Sequence, residues 1–173
     1  NIAGSKAIVI DTAAPTVSSF SSTKANGSYN AGTTINITAT TNEAIKSGNS
    51  LVVTLDTGRT VTLTAASAGT SLTGTYTVQA GDTSSDLTVS SFTITSVADT
   101  AGNAMTSTTV PSGSSNIAGS QAIVIDTTAP TLSSSSPSDG SSSIDIGSNI
   151  VLTFSETVTT STGSISIKTS SST

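Results

Sequence analysis

The sequence predicts an all-β protein built from tandem modules, and three observations carry that prediction. Residues 1–16 read NIAGSKAIVIDTAAPT and residues 116–131 read NIAGSQAIVIDTTAPT, a repeat at an offset of 115 residues. Val, Ile and Leu alternate with Thr and Ser in short runs, as strands with one buried face require. Clusters of Gly, Asn and Asp separate these runs, as turns do.

The strands of the first module can be followed in order. In the run over residues 33–40, Ile35, Ile37 and Ala39 point inward and Thr and Asn point outward. Residues 56–59 (DTGR) predict a tight hairpin, residues 25–27 and 99–103 predict turns, and residues 79–86 predict a loop. No stretch has a helical period. After residues 7–10, which belong to the preceding repeat, the predicted strands of the first module are residues 16–20, 33–40, 51–55, 60–64, 72–78, 87–97, 105–110 and 122–125.

Seven or eight short strands with turn signals every 8–12 residues are typical of an immunoglobulin-like β-sandwich. On this basis residues 1–11 are the closing strand of a preceding repeat and residues 12–128 are a complete sandwich. Residues 129–173 are the N-terminal part of a second module. A disordered, mucin-like stalk is the alternative for a chain so rich in Ser and Thr, but the aliphatic alternation favours the sandwich.

Composition excludes several functions. The chain carries only 9% charged residues and a net charge of −5, so it lacks the basic patch that nucleic acid requires. No apolar stretch approaches 20 residues, so we expect no membrane insertion in this segment. Without His or Cys, the usual nucleophilic triads and zinc sites cannot form, and we predict no catalytic residues and no enzyme activity.

The strongest chemical feature is a set of oxygen-bearing side chains that meet at one end of an immunoglobulin-like sandwich. They lie at the start of the first strand, in the loop after the second strand, where Glu43 is placed, and in the loop before the last strand. Converging carboxylates repel each other unless a cation lies among them, and calcium takes six to eight oxygen ligands. Ordinary turns also favour Asp, Asn and Gly, with Glu43 solvated, so that interpretation stays open. The predicted metal ligands are Asp11, Glu43, Asp99 and Asn103.

An analogous set in the second module comprises Asp126 and Glu156, and its third carboxylate would lie beyond residue 173. Asp82 and Asp86 fall in the loop at the opposite end of the first module. We interpret that loop as solvated rather than as part of an ion site.

Three motifs resemble the bacterial Ig-like repeats of large secreted adhesins and S-layer-type surface proteins. They are the joint IVIDTAAPT at residues 8–16 with its copy at 123–131, the segment YTVQAGDTSSDL at 76–87, and DTAGN at 99–103. In the second module, SPSDG at 136–140 and NIVLTFSETV at 149–158 are similar to a related class in S-layer proteins and secreted multidomain enzymes. The first module departs from the usual pattern, because residues 41–44 read TNEA where FSEA would be expected.

The resemblance implies an extracellular, cell-surface location and a structural role in adhesion or surface assembly, with calcium stiffening the joints between modules. Its partners would be neighbouring repeats of the same polypeptide and a surface glycan. If the chain is a complete subunit, residues 7–10 of one copy would dock head to tail on residues 131–173 of another; a slice of a continuous polypeptide is the favoured alternative. The alternative function is an accessory carbohydrate-binding or spacer module of a secreted enzyme or phage fibre. Lectin sites use exposed aromatic rings, and this chain has only three Phe and two Tyr.

Overall fold

The computed structural model describes residues 8–159 and confirms an all-β, immunoglobulin-like fold. The chain divides into two compact units, Asn1–Thr127 and Thr128–Thr173. No helix among residues 8–159 is long and apolar enough to cross a membrane. The first unit contains β1 (Val17–Ser21), β2 (Gly27–Tyr29), β3 (Thr34–Ile45), β4 (Ser50–Leu55), β5 (Thr60–Thr64), β6 (Gly69–Thr77), β7 (Thr83–Ser84), β8 (Val89–Ser96), a 3-10 turn (Gly113–Ser115), α1 (Ile117–Ser120) and β9 (Ile123–Asp126).

The larger sheet of the first unit has six strands in the order β1-β3-β6-β5-β4-β8. Its pairings are antiparallel, and β4 and β5 form the predicted hairpin, in which Gly58 takes a positive φ of 80°. Gly74 on β6 lies so close to β5 that an added Cβ would meet the Thr62 carbonyl oxygen and lie 2.7 Å from Leu63 Cδ2. A side chain at position 74 would therefore push β5 and β6 apart.

The smaller sheet has three strands in the order β2-β9-β7. Strand β9 pairs parallel with β2, in the register Gly27 to Ile123 and Tyr29 to Ile125, and antiparallel with β7. The Ala122 carbonyl accepts a hydrogen bond from Gly27 N at 3.0 Å. Strand β9 thus closes the fold as the central strand of its sheet.

An aliphatic core fills the first unit between its two sheets. Ile35 and Ile37 of β3 are fully buried, as their alternation predicts, and β9 contributes Ile123 and Ile125. Phe20 and Phe92 meet edge to face with ring centroids 5.6 Å apart. Burial of these aliphatic and aromatic surfaces is the main stabilising force in a unit with few charges.

Several local predictions are wrong. Residues 25–27 were predicted as a turn, but Gly27 begins β2; residues 79–86 were predicted as a loop, but they contain β7. Residues 105–110 form no strand, although Met105 is buried. Residues 8–159 also contain a short helix, α1, which could not be predicted from periodicity because four residues make barely one turn.

The second unit, as far as it is described, is an antiparallel pair of β10 (Leu132–Ser136) and β11 (Val151–Phe154). Several of its aliphatic side chains, including Ile146, Ile150 and Val151, are exposed. The predicted closing strand 1–11 lies partly outside the described residues, and Ile8, Val9 and Ile10 form no strand here. The module boundaries at 11/12 and 128/129 therefore stay predictions.

Candidate metal centre

The structure brings together three of the predicted ligands. One carboxylate oxygen each from Asp11, Glu43 and Asp99 lies within 4.8 Å of the other two. Asp11 is exposed, Glu43 is partly buried and Asp99 is buried at 1% exposure. Segments far apart in the sequence thus deliver three acids to one end of the first unit.

Backbone pairing across the sheet edge sets this geometry. Ile45, at the end of β3, forms an isolated antiparallel bridge with Asp99, and Lys46 N donates to the Ala98 carbonyl at 3.0 Å. The pairing of β3 with β6 shifts register between Thr40 and Ile45, and Ile45, at the end of β3, pairs with Gly69 of β6 on one side and with Asp99 on the other. Glu43 therefore lies within a strand, and its predicted place in a loop is wrong.

Asp99 is held by a tight turn over residues 99–103. Its Oδ1 accepts hydrogen bonds from Gly102 N and, at 2.8 Å, from Asn103 N. Burial opposes ionisation of Asp99, but the hydrogen bonds from the Asn103 side chain and from backbone N–H groups outweigh it, so the pKa of this carboxyl is lowered. Asp99 is therefore a fixed, ionised group at neutral pH.

Asn103 contacts the cluster through its amide nitrogen. Nδ2 donates to the main-chain carbonyl of Asp11 at 3.1 Å and to Asp99 Oδ2 at 2.7 Å. Both partners are acceptors, which fixes the amide orientation. Asn103 thus ties the incoming chain at Asp11 to the 99–103 turn, which is a positioning role; its prediction as a metal ligand stays a prediction.

Glu43 is the residue that a turn interpretation does not explain. Asp11 Oδ1 accepts from Ala13 N at 3.0 Å, so Asp11 and Asp99 both serve as turn residues. Oε1 of Glu43, in contrast, is buried and has no hydrogen-bond partner. Burial, together with the charges of Asp11 and Asp99, raises the pKa of Glu43 above its ordinary value of 4.5. A buried, unpartnered acceptor beside two other carboxylates is costly unless a cation neutralises it.

The donor set fits calcium. Two oxygens that each bind calcium at about 2.4 Å can be separated by at most about 4.8 Å, so the observed spacing permits a shared ion. Three carboxylates supply hard oxygen ligands, and carbonyls and water would complete six to eight. Among residues 8–159, no salt bridge neutralises Asp11, Glu43 or Asp99. The ion pair found there joins Arg59 to Asp82, outside this cluster.

The two units begin in the same way. In the first, Asn42 Oδ1 accepts from Thr16 N at 2.6 Å and Asn42 N donates back to the Thr16 carbonyl at 3.1 Å. In the second, Ser155 Oγ accepts from Thr131 N at 2.9 Å and Ser155 N donates back at 2.8 Å. Asn42 thus makes the same pair of hydrogen bonds as Ser155, which accounts for Asn in place of Ser at position 42.

The glutamates that follow Asn42 and Ser155 also share one feature, a buried carboxylate oxygen. Glu156 follows Ser155 as Glu43 follows Asn42, and its Oε1 is likewise buried without a hydrogen-bond partner. The other predicted ligand of this set, Asp126, ends β9 and belongs to the first unit. The pairing of Asp126 with Glu156 stays a prediction.

Asp82 is a buried carboxylate that was not predicted from the sequence. The loop containing Asp82 was predicted to be solvated, but Asp82 is only 3% exposed. It accepts from Arg59 Nε at 2.7 Å, Tyr76 Oη at 2.6 Å and Gln79 N at 2.8 Å. Burial and the bond to Asp82 raise the pKa of Tyr76 to about 12. These three bonds satisfy the carboxylate of Asp82, so we interpret the network as structural. In the sequence, only the nearby Tyr76 indicated that Asp82 could have a buried partner.

Comparison with known proteins gives one match. Residues 126–173, a little over a quarter of the chain, match the family model described as "Bacterial Ig-like domain". The comparisons with curated proteins and with solved structures gave no match. The chain from residue 126 onward is therefore similar to a bacterial Ig-like domain. The first unit has the same pair of hydrogen bonds at Asn42 as the second has at Ser155, each followed by a glutamate with a buried Oε1.

Proposed function

We propose that this chain is a structural repeat of a long extracellular bacterial surface protein, such as an adhesin, an S-layer protein or a filament. Calcium held by Asp11, Glu43 and Asp99 stiffens the entry to each module. Bacterial Ig-like domains typically occur in surface or extracellular proteins and are generally non-catalytic, which supports a structural role in that location. The partners of each module are its neighbours in the same polypeptide.

The single observation that carries the calcium proposal is the buried, unpartnered Oε1 of Glu43 within reach of two other carboxylates. Calcium would satisfy that oxygen and remove the repulsion among three acids. Asp11 precedes β1, whereas Glu43 and Asp99 belong to the body of the unit. An ion bound by all three therefore fixes the direction in which the chain enters the module.

The first unit offers little to a carbohydrate ligand. Phe20, Tyr76 and Phe92 are buried in the core, and Tyr29 is partly buried beneath the Lys24 ammonium, 4.6 Å from the ring centroid. Sugar recognition by stacking needs an exposed ring face. We therefore favour the structural role over a carbohydrate-binding one.

The test is a calcium titration of the full chain by isothermal calorimetry, with thermal unfolding in calcium and in EGTA. We expect one site in the first unit, and stabilisation of roughly 2.7 kcal/mol at a hundredfold excess of calcium over Kd. Glu43→Gln should abolish both effects. Asp139→Asn removes the same charge from an exposed turn of the second unit and should leave both unchanged.

Unfolding curves that coincide in calcium and EGTA would exclude the calcium part of the proposal. Equal losses in Glu43→Gln and Asp139→Asn would show that the response depends on net charge rather than on this cluster.

A further inference from the structure

A short aliphatic run at the start of the described chain has no partner in the first unit. Ile8, Val9 and Ile10 are 68%, 85% and 84% exposed. Three consecutive β-branched residues strongly favour a strand and are costly to leave in water. The first unit therefore does not supply the sheet in which this run would be buried.

The structure shows the sheet position that this run fits. Ile123, Val124 and Ile125 repeat the same three residues in β9, where Ile123 is fully buried and Ile125 is 2% exposed. The identity extends to residues 1–12 and 116–127, which differ only by Lys6 in place of Gln121. Residues 1–12 thus have nearly the same sequence as a segment whose position in the fold is known.

The contacts of that segment, called here the closing segment (residues 116–127), use residues that the repeat preserves. Asn116 Oδ1 accepts from Val89 N at 3.1 Å and Nδ2 donates to the Val89 carbonyl at 3.0 Å. At the other end, Thr127 Oγ1 accepts from Gly81 N and donates to the Asp82 carbonyl, both at 3.0 Å. Gln121, the one position that differs, donates through its backbone N–H, as any residue but proline can.

We propose that the closing segment is exchangeable between copies of this chain. Residues 1–12 of one copy take the place of residues 116–127 of a second copy, between its β2 and β7. The occupant is selected by the alternating isoleucines that fill the core and by the capping Asn and Thr at the two ends. The inference does not depend on calcium or on the proposed function.

The exchange reproduces a joint that the chain already contains. Asp11 to Pro15 reads DTAAP and follows residue 10, and Asp126 to Pro130 reads DTTAP and follows residue 125. A donor chain therefore continues from the acceptor into its own β1 through nearly the same linker. The closing segment within each chain competes at a high effective concentration, so the intact protein stays closed at micromolar concentration.

The test weakens the segment within the chain and asks whether the segment of another copy replaces it. In the full chain carrying Ile123→Asp and Ile125→Asp, the chain's own closing segment no longer supplies isoleucines to these two buried core positions. We expect concentration-dependent head-to-tail oligomers by light scattering, with a cooperative unfolding transition retained. Adding Ile8→Asp and Ile10→Asp should abolish the oligomers and the transition. The matched control, Ile8→Asp with Ile10→Asp alone, should be monomeric and as stable as the parent chain.

A cross-link locates the exchanged strand. The chain has no Cys, and Ser28 is the registered partner of Val124. In the Ile123→Asp, Ile125→Asp background, Val9→Cys with Ser28→Cys should cross-link between chains, whereas Val9→Cys with the exposed β8 position Ser91→Cys should not. An unfolded monomer, oligomers that persist in the fourfold variant, or failure of Cys pairing between positions 9 and 28 would each overturn the proposal.

Discussion

At the scale of single residues, two acids of the first unit, the buried Asp82 and the partly buried Glu43, have opposite responses to pH. Burial of Asp82 opposes ionisation, but its hydrogen-bond donors outweigh burial and lower the pKa, whereas Glu43 has an unpartnered oxygen and a raised pKa. An acid with a lowered folded-state pKa stabilises the protein when ionised, and one with a raised pKa destabilises it. The difference separates a structural carboxylate from one whose oxygen the proposed calcium ion would satisfy.

The first prediction follows from the raised pKa of Glu43. Without calcium, the folded state binds a proton at Glu43 at a pH where the unfolded chain does not. The free energy of unfolding should therefore increase as the pH falls from 7 through the raised pKa of Glu43. Urea unfolding in EGTA across this range measures it. Glu43→Gln should remove the increase and be more stable than the parent at pH 7; a parent that only loses stability over this range would contradict the prediction.

The second prediction concerns Asp82. Asp82→Ala leaves the buried Tyr76 hydroxyl and the Gln79 N–H without their acceptor, so the free energy of unfolding should decrease by about 2–3 kcal/mol. Arg59→Gln should cost under about 1 kcal/mol, because the Arg59 side chain is 47% exposed. Urea unfolding of both variants at pH 7 is the measurement. Equal losses would mean that the ion pair, rather than the hydrogen-bonded carboxylate, provides the stability.

At the scale of elements, the closing segment is anchored by one buried side chain. Asn116 is 8% exposed, caps α1 through a 2.8 Å bond from Ile117 N, and donates to the Pro111 carbonyl at 3.1 Å. It also binds both backbone groups of Val89, at the start of β8. One amide thus joins α1, the segment before it and the larger sheet.

The third prediction is that Asn116→Ala destabilises the first unit by about 2–4 kcal/mol, because the backbone groups of Val89 lose their partners in a buried place. Ser120→Ala, in the same helix but exposed, should cost well under about 1 kcal/mol. Chemical unfolding monitored by circular dichroism tests both. If the two variants are alike, the cap contributes only to the short helix.

The sequence allowed prediction of the elements with strict alternation and not of those stabilised by distant partners. Strands β3, β4 and β5 were predicted because each alternates buried and exposed residues over at least five positions. Strand β2 has only three residues and forms because it pairs with β9, which follows it by more than 90 residues in the chain. Asp11, Glu43 and Asp99 could be grouped from the repeat and the sandwich topology, but the unpartnered oxygen of Glu43 depends on packing that no local pattern shows.

At the scale of the whole molecule, the two units differ in how well their apolar residues are covered. The first unit buries 23 hydrophobic residues in one cluster. The second, within the described part, leaves Leu132, Ile146 and Ile150 in solvent. Local stability should follow this difference, because apolar burial is the main favourable contribution to folding.

The fourth prediction is therefore about hydrogen exchange of the full chain. Amides of β3 and β6 should exchange slowest, and those of β10 and β11 should exchange at least about a hundredfold faster. Calcium should slow exchange at residues 11–13 and 99–103 and leave β10 and β11 unchanged, as measured by mass spectrometry in calcium and in EGTA. Uniform exchange across both units would contradict the unequal stability.

The parallel pairing of β2 with β9 has a mechanical consequence. A force that pulls the two ends of the first unit apart draws β2 toward its first residue, Gly27, and β9 toward its last, Asp126. Because the strands run in the same direction, the two pulls oppose each other along the strand axis. The interstrand hydrogen bonds are then loaded together in shear and must break at once, whereas an antiparallel pair pulled from one end would open bond by bond. Tension would thus be resisted by this three-residue ladder and by the isoleucines behind it.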